Sequence, residues 1–172
     1  IRGFFDTHAC DLLVCCAGLV ADSLLLHTTS QQWDTQWQTN YQGAKNCAQA
    51  AVSRMIQQGG GHIMFLSSHS AIHPPAGQIA YAAAKRALIG LSRDLSLRYG
   101  RDNIRVNSIL PGFLDNRMTI SVSSARKEEV LADHSLGRFN TMDRVAAFVR
   151  FLHESMPHTS GQWFQLDSRD NL

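Results

Sequence analysis

The chain has 172 residues, of which 44% are hydrophobic and 17% are charged, and its formal net charge is +2. This composition is typical of a packed globular protein and excludes an intrinsically disordered chain. The balanced charge, without a cluster of Lys and Arg, argues against a nucleic-acid partner, and no apolar run reaches the length of a membrane span.

Cysteine and histidine usage predicts neither disulfides nor a metal centre. The four cysteines, Cys10, Cys15, Cys16 and Cys47, lie in the first third of the chain without a CxxC pair. This pattern favours reduced thiols and a cytoplasmic protein, and the start IRGFFDTHACD has no signal-peptide layout. The eight histidines show no HxH or HExxH spacing, so we expect no metal site.

The first half of the chain is predicted to contain a strand, a helix and a second strand. Residues 11–18 (DLLVCCAG) form a short apolar run that ends in glycine, which is typical of a buried strand. Residues 29–58 are predicted to form one helix, with a Thr or Ser as its cap and GGG after its end. Residues 62–68 (HIMFLSS) are predicted to form the next strand.

The second half continues the alternation of helices and strands. The predicted elements are, in chain order, a helix over 79–99, a strand over 104–110, a helix over 141–155 and a strand over 161–167. Residues 69–78 contain paired prolines and are predicted to be a loop, and 113–140 are predicted to be irregular or short helices.

This order predicts an α/β fold, with a doubly wound parallel sheet and helices on both faces, in a single domain over 1–172. Ligands of such sheets bind at the carboxyl ends of the strands. At or just after the carboxyl ends of the first three predicted strands lie Cys16, Ala17 and Gly18, then Ser67 and Ser68, then Pro111 and Gly112. We therefore expect the functional site where these three loops meet.

Tyr81 and Lys85 lie four residues apart at the start of the alanine-rich helix. Residues at this spacing lie one above the other on a helix, so a phenol and an ammonium would be neighbours. The pair could be a surface pair, or a proton donor with the cation that tunes it.

Several segments together resemble the classical short-chain dehydrogenase/reductase family. The family's catalytic pattern is similar to YAAAK at 81–85, with Ser68 thirteen positions before Tyr81 and RVNSILPG after it. Upstream, DLLVCCAG resembles the family strand D-x-L-V-N-N-A-G, and NYQGA resembles its N-x-x-G helix segment. The match extends to TSGQWFQLD, and YAAAKRALIGLSRDL is most similar to the bacterial 3-oxoacyl-(acyl carrier protein) reductases.

The resemblance implies a Rossmann-like fold and roles for four catalytic residues. Tyr81 would be the general acid, and Lys85 would lower the pKa of that phenol and bind the nicotinamide ribose. Ser68 would donate a hydrogen bond to the substrate oxygen, and Asn40 would hold a water that links Lys85 to solvent. The implied cofactor contacts are Cys16, Ala17, Gly18, Tyr81, Lys85, Pro111, Gly112, Leu114 and Asn116.

The implied reaction is the NAD(P)H-dependent reduction of a ketone, most similar to a 3-oxoacyl thioester. The subfamily favours NADP(H), with NAD(H) as the alternative, and implies an acyl carrier protein as a partner and a homodimer or homotetramer. Two other functions stay open. One is a dehydrogenase of a sugar, polyol, steroid or other secondary alcohol, and the other is a non-catalytic subunit that pairs with an intact relative.

The chain also departs from the family pattern. Residues 1–11 contain nothing similar to the glycine-rich T-G-x-x-x-G-I-G turn, so we expect the C-terminal part, about two-thirds, of the Rossmann fold without its first βαβ portion. The residues could be part of a longer chain, a shortened and inactive relative, or an incomplete sequence. Cys15 and Cys16 replace two asparagines, Asn116 replaces a common threonine, and LDSRDNL replaces the usual D-G-G ending.

Overall fold

The computed structural model describes residues 2–169, whose strands form one parallel sheet in the order β1-β2-β3-β4. The strands are β1 (Leu12–Cys15), β2 (Gly61–Leu66), β3 (Ile104–Leu110) and β4 (Trp163–Gln165). The predicted parallel sheet is confirmed. The first and last strands are shorter than predicted, because the chain leaves the sheet after Cys15 and pairs with β3 only from Trp163 onward.

Six α-helices accompany the sheet within the described residues. They are α1 (Arg2–Thr7), α2 (Ser30–Trp37), α3 (Gly43–Gln57), α4 (Ile79–Tyr99), α5 (Ser124–Ala132) and α6 (Met142–Ser155). Side-chain caps begin several of them, as Thr29 and Gln32 form a capping box at α2 and Thr141 accepts from the backbone of α6. The sequence did not predict α1. None of these helices has the length and apolar character that a membrane span requires.

The helix predicted over 29–58 contains one irregular turn. Residues Gln38–Gln42 are π-helical, and the Gly43 N–H donates to the Gln38 carbonyl, five residues earlier. A π turn adds one residue to a helix and is frequent at functional sites. Here it joins α2 to α3 without ending the helix, and Asn40 lies in its middle.

Helices cover both faces of the sheet, as predicted. On one face, Ile63 and Phe65 of β2 belong to a core with side chains of α3 and α4. On the other face, Met64 of β2 packs with Val145 and Leu152 of α6. The two sets alternate along the strand because successive side chains of a strand point to opposite faces.

Asn107 ties three segments together beneath α6. Its side chain is fully buried, its Nδ2 donates to the Thr159 carbonyl at 2.9 Å, and its Oδ1 accepts from the Gln162 N–H at 3.0 Å. Its Nδ2 also lies 3.0 Å from Nε2 of His62, whose pKa burial lowers to about 3. The neutral imidazole therefore serves as the acceptor, and one amide links β3, β2 and the approach to β4.

We expect Asn107→Leu, which has nearly the same shape, to lower the free energy of unfolding by about 2–4 kcal/mol, because it leaves buried polar groups without partners. Urea unfolding measures this change. Asn46→Leu makes the same substitution at an exposed position of α3 and should change stability by less than about 0.5 kcal/mol. Equal unfolding midpoints for the two variants would contradict this account.

Candidate active site

A cavity of about 340 Å³ opens where the loops after β1, β2 and β3 meet. It contains most of the side chains that the sequence singled out. The predicted residues that line it are Cys16, Gly18, Ser68, Tyr81, Lys85, Pro111, Gly112, Leu114 and Asn116. Ala17 and Asn40 lie outside the lining. The alternation of strands and helices thus places residues from distant parts of the chain in one cavity.

Ser68 and Tyr81 both line this cavity. Ser68 ends the loop after β2, and its Oγ accepts from the Ser70 N–H at 3.1 Å, which leaves the hydroxyl hydrogen free to donate. Both residues line the cavity, where hydrogen bonding from Ser68 acts on the pKa of the Tyr81 phenol. Burial raises the pKa of Tyr81 and Asp22 raises it further, while the bond with Ser68 lowers it. The net direction is upward, so the phenol keeps its proton at neutral pH.

Lys85 is only 3% exposed and is bonded to the end of β2. Its Nζ donates to the Leu66 carbonyl at 2.8 Å, and Ser67 Oγ donates back to the Lys85 carbonyl at 2.8 Å. Burial lowers the pKa of Lys85 to about 8, and the neighbouring Cys16 and Cys15 oppose this shift. The amine is therefore mostly protonated at neutral pH.

The groups that set the pKa of Tyr81 in this structure do not include Lys85. Lys85 was expected to lower the pKa of Tyr81, yet that pKa is raised, and burial, Ser68 and Asp22 set its direction. The Lys85 Nζ lies 5.7 Å from the centre of the Tyr81 ring and donates to Leu66. Burial penalises the phenolate and dominates the direction of this pKa, and the tuning role of Lys85 stays a prediction.

Asn40 positions the loop that forms one wall of the cavity. Its fully buried amide accepts from the Leu19 N–H at 3.0 Å and donates to the Leu19 carbonyl at 2.7 Å and the Gln36 carbonyl at 2.9 Å. Gln36 makes the same pair of bonds with Ala21, at 3.2 and 3.1 Å. The two amides act on the loop as a neighbouring strand would. The water expected at Asn40 stays a prediction.

The loop residues after β1 differ in their relation to the cavity. Cys16 is exposed and lines it, whereas Ala17 is exposed outside the lining. At Gly18, a Cβ would lie 3.3 Å from Asn40 Oδ1 and 3.6 Å from Lys85 Nζ. The missing side chain therefore leaves space beside the amine. Cys15 faces the core, where burial raises the pKa of its thiol to about 12.

The turn after β3 forms the opposite wall. Gly112 has φ +85, and a Cβ there would lie 2.7 Å from Cβ of Asp167, so both the backbone and the packing require glycine. Leu114 packs against the α6 side of the core and also lines the cavity. Asn116 Oδ1 accepts from the Met118 N–H at 2.8 Å, which shapes the next turn.

Sequence reasoning missed several polar residues of the site. Asp22, His69, Gln78 and Arg169 also line the cavity. Arg169 Nε donates to the buried Asp167 at 2.6 Å, so the departing ending LDSRDNL reaches the site, although its last three residues lie outside the described part. Gln36 could have been found from the sequence, because it lies four residues before Asn40 and therefore on the same face of the predicted helix. Among residues 2–169, no group of three or more His, Cys, Asp or Glu could hold a metal ion.

Comparisons with known proteins agree with this geometry. The model of the family described as Enoyl-(Acyl carrier protein) reductase matches residues 6–168. The chain belongs to the short-chain dehydrogenase/reductase family. The family resemblance that the sequence motifs predicted is thereby confirmed.

Relatives in this family share a common description. The chain is 37% identical over 158 residues to a 3-oxoacyl-(acyl carrier protein) reductase of Chlamydia muridarum, covering 91% of this chain and 64% of the relative. The enzyme of that name from Homo sapiens is 36% identical over 157 residues, covering 91% and 65%. The chain thus spans slightly less than two-thirds of the length of these relatives.

A solved structure confirms the Rossmann-like fold. The crystal structure described as a short-chain alcohol dehydrogenase from Sinorhizobium meliloti 1021 matches with a TM-score of 0.89 and 29% identity. The match covers 93% of this chain and 65% of that chain.

The side-chain amides of Asn40 and Gln36 should protect different backbone N–H groups from hydrogen exchange. We expect Asn40→Leu to accelerate hydrogen exchange at the Leu19 amide, and Gln36→Leu to accelerate it at the Ala21 amide, each by roughly tenfold or more. Exchange followed by NMR measures both. Each variant serves as the control for the other, and identical exchange patterns in the two would contradict the separate roles.

The buried amine of Lys85 should make stability depend on pH. Its pKa is about 8 in the folded protein and near 10.4 in an unfolded chain, so the unfolded state binds more protons between these values. The contribution of Lys85 to stability should therefore rise by roughly 2 kcal/mol between pH 7 and 9.5. Thiols with a raised pKa such as Cys15 contribute in the opposite direction, so the effect of Lys85 is the difference between the unaltered protein and a variant without the amine. Lys85→Met should lose this rise in denaturant titrations.

Lys127→Met is the matched control, because Lys127 forms an ion pair with exposed Asp115 at the surface. It should keep the pH dependence of the unaltered protein. A slope in Lys85→Met equal to that of the unaltered protein would show that Lys85 does not cause the effect.

Proposed function

We propose that the protein reduces a ketone to a secondary alcohol with a reduced nicotinamide dinucleotide. The observation that carries this proposal is the placement of Ser68 and Tyr81 in one cavity with the buried amine of Lys85. A proton donor, a hydrogen-bond donor and a cation then surround the place where a carbonyl oxygen would develop negative charge.

A reduced nicotinamide dinucleotide, once bound, would supply a hydride to the carbonyl carbon. The hydroxyl of Tyr81 gives its proton to the carbonyl oxygen, which completes the alcohol. The raised pKa of Tyr81 favours this direction, because the phenol is protonated before the reaction begins. Ser68 donates a hydrogen bond to the same oxygen and stabilises its developing charge.

Lys85 and the glycines of the cavity fit the cofactor. One N–H of Lys85 is bonded to Leu66, and its remaining hydrogens can donate to ribose hydroxyls and to the phenolate left after proton transfer. The space beside Gly18 admits the ligand to this amine. We assign Cys16, Gly18, Tyr81, Lys85, Pro111, Gly112, Leu114 and Asn116 to the cofactor side of the cavity. Ala17, which lies outside the lining, is the weakest of the predicted contacts.

The names of the relatives support a 3-oxoacyl thioester as the substrate. The preference for NADP(H) over NAD(H), an acyl carrier protein as partner and assembly into a homodimer or homotetramer belong to the same proposal. The second candidate is the oxidation of another secondary alcohol, or the reduction of the corresponding ketone. The similarity to a crystal structure described as an alcohol dehydrogenase favours this second candidate.

The decisive experiment follows NADPH oxidation with an acetoacetyl thioester. We expect Tyr81→Phe to reduce kcat by at least ~10²-fold, because the only change is the loss of the proton donor. Tyr99→Phe makes the same change at the end of the same helix and should keep the original rate. Equal rates for the two variants would remove Tyr81 from the mechanism.

The same assay separates the candidates. Replacing NADPH by NADH tests the cofactor preference through kcat/KM. Turnover of a simple secondary alcohol with oxidised cofactor, in the absence of thioester reduction, would favour the second candidate over the first.

A further inference from the structure

Arg169 lies where two cavities adjoin and has no task in the reaction described above. Its side chain lines the cavity of about 340 Å³ that contains Ser68 and Tyr81, and also a second cavity of about 890 Å³. It belongs to the ending LDSRDNL, in which D-S-R stands where the family pattern has D-G-G. This chain therefore places a cation beside the reacting groups at a position where the pattern has a glycine.

The guanidinium of Arg169 is held in place from one side. Its Nε donates to Asp167 Oδ2 at 2.6 Å, and its Nη2 contacts the same oxygen. The side chain of Asp167 is fully buried, and its Oδ1 accepts from Gln165 Nε2 at 2.6 Å. Only 12% of the Arg169 side chain is exposed. The group is thus fixed before any ligand arrives, which lowers the entropy that binding would cost.

The other end of the guanidinium is open to a ligand. An arginine has five N–H donors, and Asp167 occupies only the edge formed by Nε and Nη2. Within residues 2–169, Nη1 donates no hydrogen bond, and it is not one of the enclosed atoms. The edge that Nη1 shares with Nη2 presents two parallel N–H groups. This geometry matches the two oxygens of a carboxylate.

Asp167 does not cancel the positive charge of Arg169 at the neighbouring side chains. Burial lowers the pKa of His69 to about 4, and Arg169 lowers this pKa by more than Asp167 raises it. The pKa of His134 is lowered by the same groups in the same order. Both imidazoles therefore experience a positive field from the pair, and an anion at the same place would be attracted.

Asp22 also lines both cavities and would repel an anion close to it. Its charge raises the pKa of Tyr81, whereas Arg169 does not act on that phenol. Arg169 acts on His69, and Asp22 does not act on that ring. The two charges thus dominate different parts of the cavities, and the part that favours an anion is the one beside His69.

We propose that Arg169 binds a carboxylate of the substrate, so that the preferred substrates are oxo acids. The ketone lies at Ser68 and Tyr81, and the carboxylate lies at the open edge of the guanidinium. This inference rests on the proposed function, since it takes Ser68 and Tyr81 as the site of the reacting ketone. It applies to both candidate reactions, because neither specifies what else the substrate carries. Arg169 is then a specificity-determining residue.

The test compares methyl ketones that end in a carboxylate with the corresponding primary amides. The pairs are 4-oxopentanoate, 5-oxohexanoate and 6-oxoheptanoate, each with its amide. Both members of a pair have the same shape, and only the first is charged. Dissociation constants come from NMR titration of the full chain, and kcat and KM come from NADPH oxidation. At the chain length that reaches Arg169, we expect the carboxylate to bind about 10-fold more tightly than the amide, because its hydrogen bonds are charge-assisted.

Arg169→Gln removes the charge and the paired N–H groups. It should weaken the carboxylate to the level of its amide and leave the amide unchanged, with the effect in Kd and KM rather than in kcat. This variant leaves the buried Asp167 without its cation, so the double variant Asp167→Asn with Arg169→Gln, which removes both charges, should show the same loss of preference. Arg126→Gln is the matched control, because Arg126 lines only the second cavity and pairs with Glu129 at 2.7 Å. It should keep the preference.

The outcomes separate this inference from the proposed function. If the ketones are reduced but no carboxylate is preferred over its amide, the inference is wrong and the proposed function stands. If none is reduced, yet a carboxylate is preferred in binding and Arg169→Gln abolishes the preference, the proposed function is wrong while the carboxylate site stands. A preference that survives in both Arg169 variants would overturn the inference. Loss of carboxylate binding when NADP⁺ is added would also overturn it, because Arg169 would then hold the cofactor.

Discussion

The site depends on a reciprocal pair of hydrogen bonds between the end of β2 and the first turns of α4. Lys85 donates through its amine to the Leu66 carbonyl, and Ser67 donates through its hydroxyl to the Lys85 carbonyl. One bond is buried and the other is partly buried, so the two elements cannot slide past each other without leaving polar groups without partners. Ser68 follows the strand and Tyr81 lies one turn before the lysine. The two hydrogen bonds therefore also fix where the two hydroxyls lie in the cavity.

Polar side chains from other parts of the chain also hold the walls of the cavity in place. Asn40 and Gln36 bind the loop after β1, and Asp167 packs against Gly112 at the turn after β3. Each wall is a loop, and the first is fixed by side chains of α2 and the π turn, whereas the second packs against Asp167, which follows β4. Such support allows irregular backbone to line a cavity and still keep its hydrogen bonds.

The sequence predicts most of the fold and much of the site. The helix over 79–99 and the strand over 104–110 have the bounds that the structure shows, because their composition and stop signals are local. The first strand ends at Cys15, whereas the sequence predicts its end at residue 18. Apolar composition does not show where the pairing with the neighbouring strand stops. The π turn escaped prediction because it depends on the contact of Asn40 with Leu19, which lies far along the chain.

The direction of the pKa of Tyr81 was also beyond the sequence. A spacing of four residues shows that a phenol and an amine are neighbours, but it does not show how deeply the helix buries them. Burial is decided by all the elements that surround the cavity, and Asp22 and Ser68 from other loops act on the same pKa through charge and hydrogen bonding. The sequence therefore predicted most of the residues that line the cavity, whereas their electrostatics required the assembled fold.

The π turn also has a consequence for how this helix can vary. One additional residue rotates everything after it by about 100° around the helix axis. Gln36, before the turn, faces the loop, and Val52 and Met55, after the turn, face the sheet. Deleting a single residue there would leave a regular α-helix. Its first part could then no longer face the loop while its second part faces the sheet. Length in this segment is therefore under tighter constraint than the identity of its outward-facing side chains.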